Sequence, residues 1–231
     1  MEIINLGKTL EIAREKMVTL VVGGTRFNIV CTPDNLRELA IGFVVSEGLA
    51  EAGDIRVRVD GDVISVATAK RQHKTAPPVV KVSSSGSPEL LGSADKLPGV
   101  LVGQSYTLEE CRYALKYLET DRYNRTRGYH SAVLVTKSGL LSQAYDVGRH
   151  NAVDKVIGMG IEKKADFPQL FLLVSGRISE GMVIKCVRCG VPLLVSKAAI
   201  LDSAVKKCQE TGLSAVSFAT GIAVKGEALI A

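Results

Sequence analysis

The architecture follows from the stretch Leu140-Leu141-Ser142-Gln143-Ala144-Tyr145-Asp146-Val147-Gly148-Arg149-His150-Asn151-Ala152-Val153-Asp154-Lys155, in which a strand leads into a helix. The first six residues are mostly apolar, as in a strand. Apolar side chains then recur at helical spacing at Ala152, Val153, Val156 and Ile157. The polar residues between the two patterns are therefore predicted to form a turn at the end of a strand.

That turn carries groups suited to an anion. Backbone N–H groups at a helix start have no intrahelical partner, and the helix dipole is positive there. Gly148 lets a ligand approach the backbone, Arg149 can donate two parallel hydrogen bonds to a phosphate, and His150 can transfer a proton near neutral pH. The turn predicts anion recognition, and the alternative is a helix start held by an internal salt bridge between Asp146 and Arg149.

A second turn repeats the glycine-arginine pair, because Ser175-Gly176-Arg177 follows the apolar run 170–174. Ligands of open α/β sheets bind beyond the carboxyl ends of the strands, so the two turns are expected to face one crevice. A third segment, residues 122–130, alternates cations with aromatic rings just before another strand. Such a segment is suited to phosphates and flat bases.

Several segments together resemble the FdhD family. They are Asp146–Lys155, Ser175–Arg177, Thr126–Ala132, and Thr32–Asp34 with the later Gly42–Gly48. The resemblance runs from about residue 18 to the C-terminus. It implies a formate dehydrogenase accessory sulfurtransferase, a sulfur carrier that acts on the molybdenum cofactor before the cofactor enters formate dehydrogenase.

The resemblance also implies cargo and partners. The cargo is molybdenum, or tungsten, held by a bis-pterin guanine dinucleotide, and GDP or GMP is expected to mimic it. The implied partners are a formate dehydrogenase and a cysteine desulfurase, and a homodimer is compatible with the family. Nucleic acid is not an expected partner, because a net charge of +5 is mild.

The chain departs from the family at its C-G-x-C motif, one cysteine of which is taken to hold the persulfide. The matching stretch reads Ser85-Gly86-Ser87-Pro88, and a serine hydroxyl cannot form a persulfide. The function implied by the family is cofactor binding with sulfur transfer. The alternative is a cofactor-binding or insertion chaperone that moves no sulfur. Enzyme activity as a sulfurtransferase requires another cysteine to carry the persulfide.

Three other cysteines are candidates for that catalytic role. Cys186 and Cys189 are three residues apart and share a face if the segment is helical. Cys31 precedes a predicted helix start and is expected to be partly exposed. The competing interpretation makes Cys186 a packed core residue, since a helix C-terminus disfavours a thiolate. No metal site is predicted, because zinc needs more ligands than one C-x-x-C pair supplies.

The predicted cofactor-binding residues come from both glycine-arginine turns, a histidine before a strand, and a segment near the C-terminus. In this hypothesis the two arginines and the N–H groups of the two glycines hold phosphates, while Asp146 accepts a hydrogen bond from guanine or ribose. His130 and His150 position the cofactor or move protons, with buried structural histidines as the alternative. For the last segment, a plain strand-turn-strand is equally compatible. The whole set is Asp146, Gly148, Arg149, His150, Asn151, Ser175, Gly176, Arg177, His130, Phe218, Ala219, Thr220, Gly221, Ile222 and Ala223.

Composition indicates a globular protein rather than a fibre or a membrane protein. The chain has 231 residues, 46% of them hydrophobic, which is enough for a substantial core. No apolar run approaches the roughly 20 residues that span a bilayer, so no membrane partner is expected. The N-terminus lacks a signal-peptide pattern, and the five cysteines are read as reduced thiols in the cytoplasm.

The predicted fold class is α/β within an α+β whole. Alternating strand and helix patterns after residue 105 predict a layered domain, 106–231, which the resemblance describes as cytidine-deaminase-like. Deaminase chemistry is not expected, because Ala132 occupies the position of the acid-base glutamate. Residues 1–105 are predicted to form a smaller β-rich domain that ends in a mobile loop, 69–104. It contains hairpins at 18–30 and 55–67, and a helix that Thr32 caps and Pro33 begins.

Overall fold

The protein is described by a computed structural model that covers residues 4, 6, 7, 11–53, 55–68, 79–80 and 97–230. Helices and strands occur in mixed order along the chain, and the predicted α+β class is confirmed. Most of the predicted loop 69–104, with Ser85-Gly86-Ser87-Pro88, lies outside the described residues.

The N-terminal part forms a five-stranded sheet covered by one helix, and both predicted hairpins are confirmed. The sheet order is β3-β4-β1-β2-β5, in which β1 pairs antiparallel with β2 and parallel with β4. Apolar side chains on one face of this sheet pack against the helix, and this packing forms a separate core cluster. The elements are β1 (Lys16–Val22), β2 (Thr25–Cys31), α1 (Leu36–Ser46), β3 (Ile55–Asp60), β4 (Val63–Thr68) and β5 (Val79–Val80).

The predicted start of α1 is wrong. The helix begins at Leu36, after Asn35 in the left-handed region with φ 55°, and no side chain caps it. The Thr32 hydroxyl instead accepts a hydrogen bond from the N–H of Val147, at 3.1 Å. Thr32 therefore connects the N-terminal sheet to the turn after residue 146 rather than starting a helix.

The second part is a six-stranded sheet layered between helices, as predicted. The strand order is β12-β11-β10-β9-β7-β8, and a short two-stranded sheet pairs β13 with β6. Three of the helices, α4, α5 and α6, supply the core on one face, and α2 with the 3-10 turn Leu115–Leu118 supplies it on the other. The elements are β6 (Tyr106–Thr107), α2 (Leu108–Ala114), α3 (Asp121–Thr126), β7 (His130–Thr136), β8 (Gly139–Asp146), α4 (Arg149–Glu162), β9 (Phe171–Val174), α5 (Glu180–Cys189), β10 (Leu193–Ser196), α6 (Asp202–Thr211), β11 (Ser214–Ser217), β12 (Ile222–Val224) and β13 (Leu229–Ile230).

The two sheets are joined where α1 crosses α4 at backbone contact distance. A Cβ atom added to Gly42 would lie 1.7 Å from the carbonyl oxygen of Asp154, and one added to Gly158 would lie 2.0 Å from that of Glu38. Only glycine fits at either position. The division at residue 105 remains a prediction, because the helices of the two parts pack directly on each other.

A buried charged cluster also joins three helices. The Lys185 ammonium lies 2.7 Å from Asp154 Oδ1 and 2.9 Å from Glu47 Oε1, and it donates to Ser46 Oγ at 2.7 Å. Burial raises the pKa of Asp154, and the neighbouring Glu47 adds to that effect. Burial alone would lower the pKa of Lys185, but the two carboxylates outweigh burial and raise it. In the part of the chain that the structure describes, no helix combines the length and apolar character needed to cross a bilayer.

Candidate functional site

Both glycine-arginine turns lie at one edge of the six-stranded sheet, as predicted. Strands β9, β10 and β11 are mutually parallel, and β7 runs antiparallel to both β8 and β9. The carboxyl ends of β8 to β11 therefore meet the amino end of β7 at the same edge. Strand β7, beginning at His130, separates the two turns, which places them about 10 Å apart at two interstrand spacings.

The side chain of Arg149 crosses from the first turn to the second. A Cβ atom on Gly176 would lie 3.1 Å from Cβ and 3.2 Å from Cδ of Arg149, and 3.4 Å from Nδ1 of His130. Arg149, His130 and Gly176 are thus in direct contact. The absence of a side chain at Gly176 makes room for the arginine.

The two arginines form a positive pair without an acidic partner among the described residues. Burial lowers the pKa of Arg149, and repulsion from Arg177 lowers it further. The Arg149 Nε atom is buried and has no hydrogen-bond partner. The ion pairs found in residues 11–53, 55–68 and 97–230 involve neither guanidinium. The alternative Asp146–Arg149 salt bridge is therefore not formed, and the pair is suited to an anion from outside the protein.

A cleft of about 710 Å³ opens at this edge of the sheet, but neither Arg149 nor Arg177 is among the residues that line it. His130 and Ser175 line it, which makes it continuous with the Arg149 contact. Tyr123, Arg127 and Lys197 also line the cleft. The ring of Tyr123 lies 5.0 Å from the guanidinium carbon of Arg127, and Lys197 is a further cation. The cleft combines positive charge with an aromatic surface, as the basic segment 122–130 predicted.

His130 is held as a neutral ring. Burial lowers its pKa below the ordinary 6.5, Arg149 lowers it further, and Asp146 opposes them. Its Nδ1 atom lies 3.5 Å from Ser175 Oγ, which accepts a hydrogen bond from the N–H of Ser131 at 2.9 Å. A bound anion would raise the pKa of His130 and favour its protonated form, because a negative charge beside the ring stabilises the imidazolium.

Serine hydroxyls tie successive loops of this edge together. Ser196 Oγ donates to the carbonyl of Gly176 at 2.6 Å, and Ser217 Oγ donates to the carbonyl of Ala198 at 2.7 Å. Thr220 Oγ1 donates in turn to Ser217 Oγ at 2.8 Å. Three consecutive turns of the sheet are thereby held in fixed relation.

The predicted segment 218–223 lies at this edge but does not line the cleft. Residues 218–221 connect β11 to β12, the strand-turn-strand that was the alternative interpretation. Phe218 turns away from the cleft and packs under Arg112, whose guanidinium carbon is 4.9 Å from the ring centre. The backbone amides around Gly221 remain exposed one strand beyond Lys197.

Asp146 and Asn151 face the interior rather than the cleft. Asp146 is fully buried, and its two oxygens accept from the N–H groups of Gly148 and Thr32, from Asn151 Nδ2 and from Lys155 Nζ. The structure thus places Asp146 behind the site, with both oxygens occupied by groups of the protein itself. His150 is also buried, and its Nε2 atom would lie 3.6 Å from a Cβ on Gly181 of α5.

The three candidate cysteines lie away from the cleft in surroundings that disfavour a thiolate. The expectation of an exposed Cys31 is wrong: it ends β2 with its side chain packed into the N-terminal core. Burial raises the pKa of Cys31 to about 12, helped by the Asp146 carboxylate, and burial raises that of Cys189 to about 12. Burial raises the pKa of Cys186 well above its ordinary range. Their role as sulfur carriers stays a prediction.

Sequence reasoning missed Lys197, Glu119 and Asn124, which also line the cleft. Lys197 follows directly on strand β10, so the rule that located the arginine turns at strand ends would have found it. Glu119 precedes the short helix α3, and nothing in its local pattern distinguishes it from an ordinary surface residue, whereas Asn124 lies within α3 and within the predicted segment 122–130 but was not singled out there.

Comparison with known proteins identifies the family of the chain. The profile of the FdhD/NarQ family matches residues 13–225. A protein from Shouchella clausii named sulfur carrier protein FdhD is 31% identical over 90% of this chain and 84% of its own length. A protein of the same name from Wolinella succinogenes is 29% identical over 91% of this chain and 78% of its own length.

A solved structure shares the fold. It is that of a formate dehydrogenase accessory protein from Desulfotalea psychrophila, with a TM-score of 0.70, 22% sequence identity, and coverage of 90% of this chain and 83% of that one. A layered α+β protein with a basic cleft at the carboxyl edge of its sheet is the class defined by the coordinates. The chain belongs to the FdhD/NarQ family.

Proposed function

We propose that this protein binds the bis-pterin guanine dinucleotide form of the molybdenum or tungsten cofactor and holds it for a formate dehydrogenase. The relatives named as FdhD and the accessory protein with the same fold support a place in formate dehydrogenase maturation. The edge of the six-stranded sheet is the binding site in this proposal.

The observation that carries the proposal is the Arg149–Arg177 pair. Two guanidinium groups close enough to repel each other, with a buried Nε atom that lacks a partner, are stabilised by a polyanion. A guanine dinucleotide supplies a pyrophosphate for the arginines and a flat base for the aromatic wall at Tyr123. The guanidinium forks bind phosphate oxygens in pairs, which a lysine could not do.

In this proposal Asp146 and Asn151 support the turn from behind, and His130 contacts the anion. His130 is neutral when the site is free and can take a proton when phosphate arrives. The predicted phosphate contact of the Gly148 N–H is not available, because this group donates to Asp146, and Gly176 makes room for Arg149 rather than for the ligand. The exposed turn at Gly221 extends the surface available to the second nucleotide.

Sulfur transfer is the second candidate function, because the relatives are named sulfur carriers. It needs a thiolate that attacks a persulfide donor and then passes the sulfur on. Cys31 and Cys186 are buried and Cys189 is partly exposed, and all three thiols have raised pKa values, which favours the holding function over the transfer function.

Binding is tested by calorimetric titration with GDP. We expect Arg149→Ala to weaken binding by about 10- to 100-fold, because a charge-assisted bidentate contact is lost. Arg149→Lys should fall between wild type and Arg149→Ala, since it keeps the charge and loses the fork. Arg37→Ala is the matched control, because that arginine pairs with Glu162 on the outside of α1. Unchanged GDP affinity in Arg149→Ala would contradict the proposal.

Sulfur transfer is tested by incubation with a cysteine desulfurase and cysteine, followed by intact and peptide mass spectrometry. The holding function predicts no added sulfur in the wild type. Sulfur that disappears in one of Cys31→Ala, Cys186→Ala or Cys189→Ala would establish a carrier thiol and restore the transfer function.

A further inference from the structure

The end of strand β2 is fastened to the turn that carries Arg149. The Thr32 N–H donates to Asp146 Oδ2 at 3.0 Å, and the Thr32 hydroxyl accepts from the N–H of Val147 at 3.1 Å. Two residues earlier in the chain, the carbonyl of Val30 accepts a hydrogen bond from Asn151 Nδ2 at 2.8 Å. Two backbone segments separated by more than a hundred residues are thus bonded directly to each other.

Lys155, in the first turns of α4, contacts both Asp146 and Thr32. Its ammonium lies 2.7 Å from Asp146 Oδ2 and donates to the carbonyl of Thr32 at 2.8 Å. Both Lys155 and Asp146 side chains are completely excluded from solvent. Because a buried ion pair is costly unless its remaining bonds are satisfied, such a full set of partners restrains the position of every member.

The helix itself does not fix the turn. Gly148 precedes α4 without a side chain that could cap it, and its N–H donates to Asp146 Oδ1 at 2.8 Å. The N–H groups of both residues before Arg149 are therefore held by Thr32 and Asp146. Beyond the turn, Arg149 passes Gly176 at a distance that leaves no spare room. A small shift of the turn would displace the guanidinium.

We infer that Thr32 and Asp146 are positioning residues that aim Arg149 at the anion, so that the N-terminal sheet controls binding without touching the ligand. The inference rests on the proposed nucleotide site. It assigns the N-terminal half a task in binding, although the described residues that line the cleft all lie in the second half.

The test compares Thr32→Val with Thr32→Ser. Valine keeps the shape but removes the acceptor for the Val147 N–H, and serine keeps the acceptor. We expect Thr32→Val to raise the Kd for GDP by about 5- to 10-fold and Thr32→Ser to leave it near the wild-type value. Thr211→Val is the matched control, because its buried hydroxyl donates to the carbonyl of Lys207 one turn earlier in α6 and Thr211 does not line the cleft. It should lower thermal stability without changing the Kd.

A double-mutant cycle with Arg149→Ala tests whether Thr32 affects GDP binding through Arg149. If Thr32 acts through Arg149, the effect of Thr32→Val on GDP binding should vanish in the Arg149→Ala background. Hydrogen exchange of the ligand-free protein should also be faster at residues 147–151 in Thr32→Val only. Wild-type affinity in Thr32→Val, or an undiminished effect in the double variant, overturns the inference while the nucleotide site stands. Failure of the wild type to bind GDP overturns both.

Discussion

Arg149 reaches the binding edge across a position that has no side chain. The arginine methylenes lie against Gly176, and the ring of His130 borders the same space. The backbone of Gly176 is not in the left-handed region, so glycine is needed there for volume and not for conformation. The small size of Gly176 therefore allows the Arg149 guanidinium to occupy its observed position.

Gly176→Ala should therefore weaken nucleotide binding with little change in the fold. The new methyl group would lie 3.1 Å from Arg149 Cβ, an atom fixed to the start of α4, 3.2 Å from Arg149 Cδ and 3.4 Å from His130 Nδ1, so Arg149 and its turn must shift by a few tenths of an ångström. We expect a loss of about 10-fold in GDP affinity, comparable to a misplaced charged hydrogen bond. Gly99→Ala, where nothing lies within 4 Å of the new methyl group, should bind GDP normally. Equal affinities for the two variants would contradict this account.

His130 should make the ligand-free protein less stable in mild acid. Its pKa is lowered in the folded state, so the unfolded chain takes up the proton first as pH falls through 6.5. Stability is then lost until pH reaches the lowered folded pKa. Urea unfolding at pH 7.5 and 5.5 should show a larger loss for the wild type than for His130→Gln.

The comparison with His130→Gln cancels the titration of the other histidines. Saturating GDP should reduce the difference between the two proteins, because a bound phosphate favours the protonated ring. A wild type that loses no more stability than His130→Gln would show that His130 does not titrate in this range.

At the scale of elements, the contact between α1 and α4 holds the N-terminal sheet on the central one. The carbonyl groups of each helix occupy the space that a Cβ atom would need at Gly42 and Gly158. Helices normally meet through side chains at 8–10 Å between axes, and glycines permit a closer approach. The bonds between β2 and the Arg149 turn depend on this approach.

Gly42→Ala should be strongly destabilising. Its methyl group would lie 1.7 Å from a backbone oxygen of α4, so the helices must separate. We expect a loss of about 3 kcal/mol or more in the free energy of unfolding, at the upper end for overpacked cores. Gly53→Ala meets nothing within 4 Å and should stay within about 0.5 kcal/mol of the wild type. Chemical denaturation measures both.

The elements were largely predictable, but the partners of individual residues were not. Alternating patterns located the strands and helices of the second half and placed both arginine turns at one edge. The same patterns assigned Thr32 to a helix cap and Asp146 to the ligand. Their actual partners are each other, 114 residues apart, and no local pattern encodes a bond across that separation.

At the scale of the whole molecule, the cluster around Lys185 joins the end of α1 to α4 and α5. One ammonium faces two buried carboxylates, Asp154 and Glu47, and Ser46 completes the contacts. This cluster and the β2 bonds reach α4 at neighbouring residues, Asp154 and Lys155, so several connections join the two parts. The two sheets should therefore unfold together, even though each has its own core cluster.

Lys185→Met should test this connection. Removing the ammonium deprives the buried Asp154 carboxylate of its cation, at a cost of about 3–5 kcal/mol in the free energy of unfolding. The loss should shrink as pH falls, because the pKa of Asp154 is already raised and protonation removes the buried charge. Lys137→Met, which breaks an exposed pair with Glu110, should cost no more than about 1 kcal/mol. Two separate transitions in the wild type would contradict joint unfolding.

The arginine pair also affects how the purified protein should be handled. Any small anion that relieves the repulsion between Arg149 and Arg177 will bind preferentially to the folded chain and raise its melting temperature. Phosphate and sulfate buffers are therefore expected to compete with the proposed dinucleotide ligand. Protein kept in these buffers should have a higher melting temperature and a lower apparent affinity for GDP than protein kept in dilute chloride.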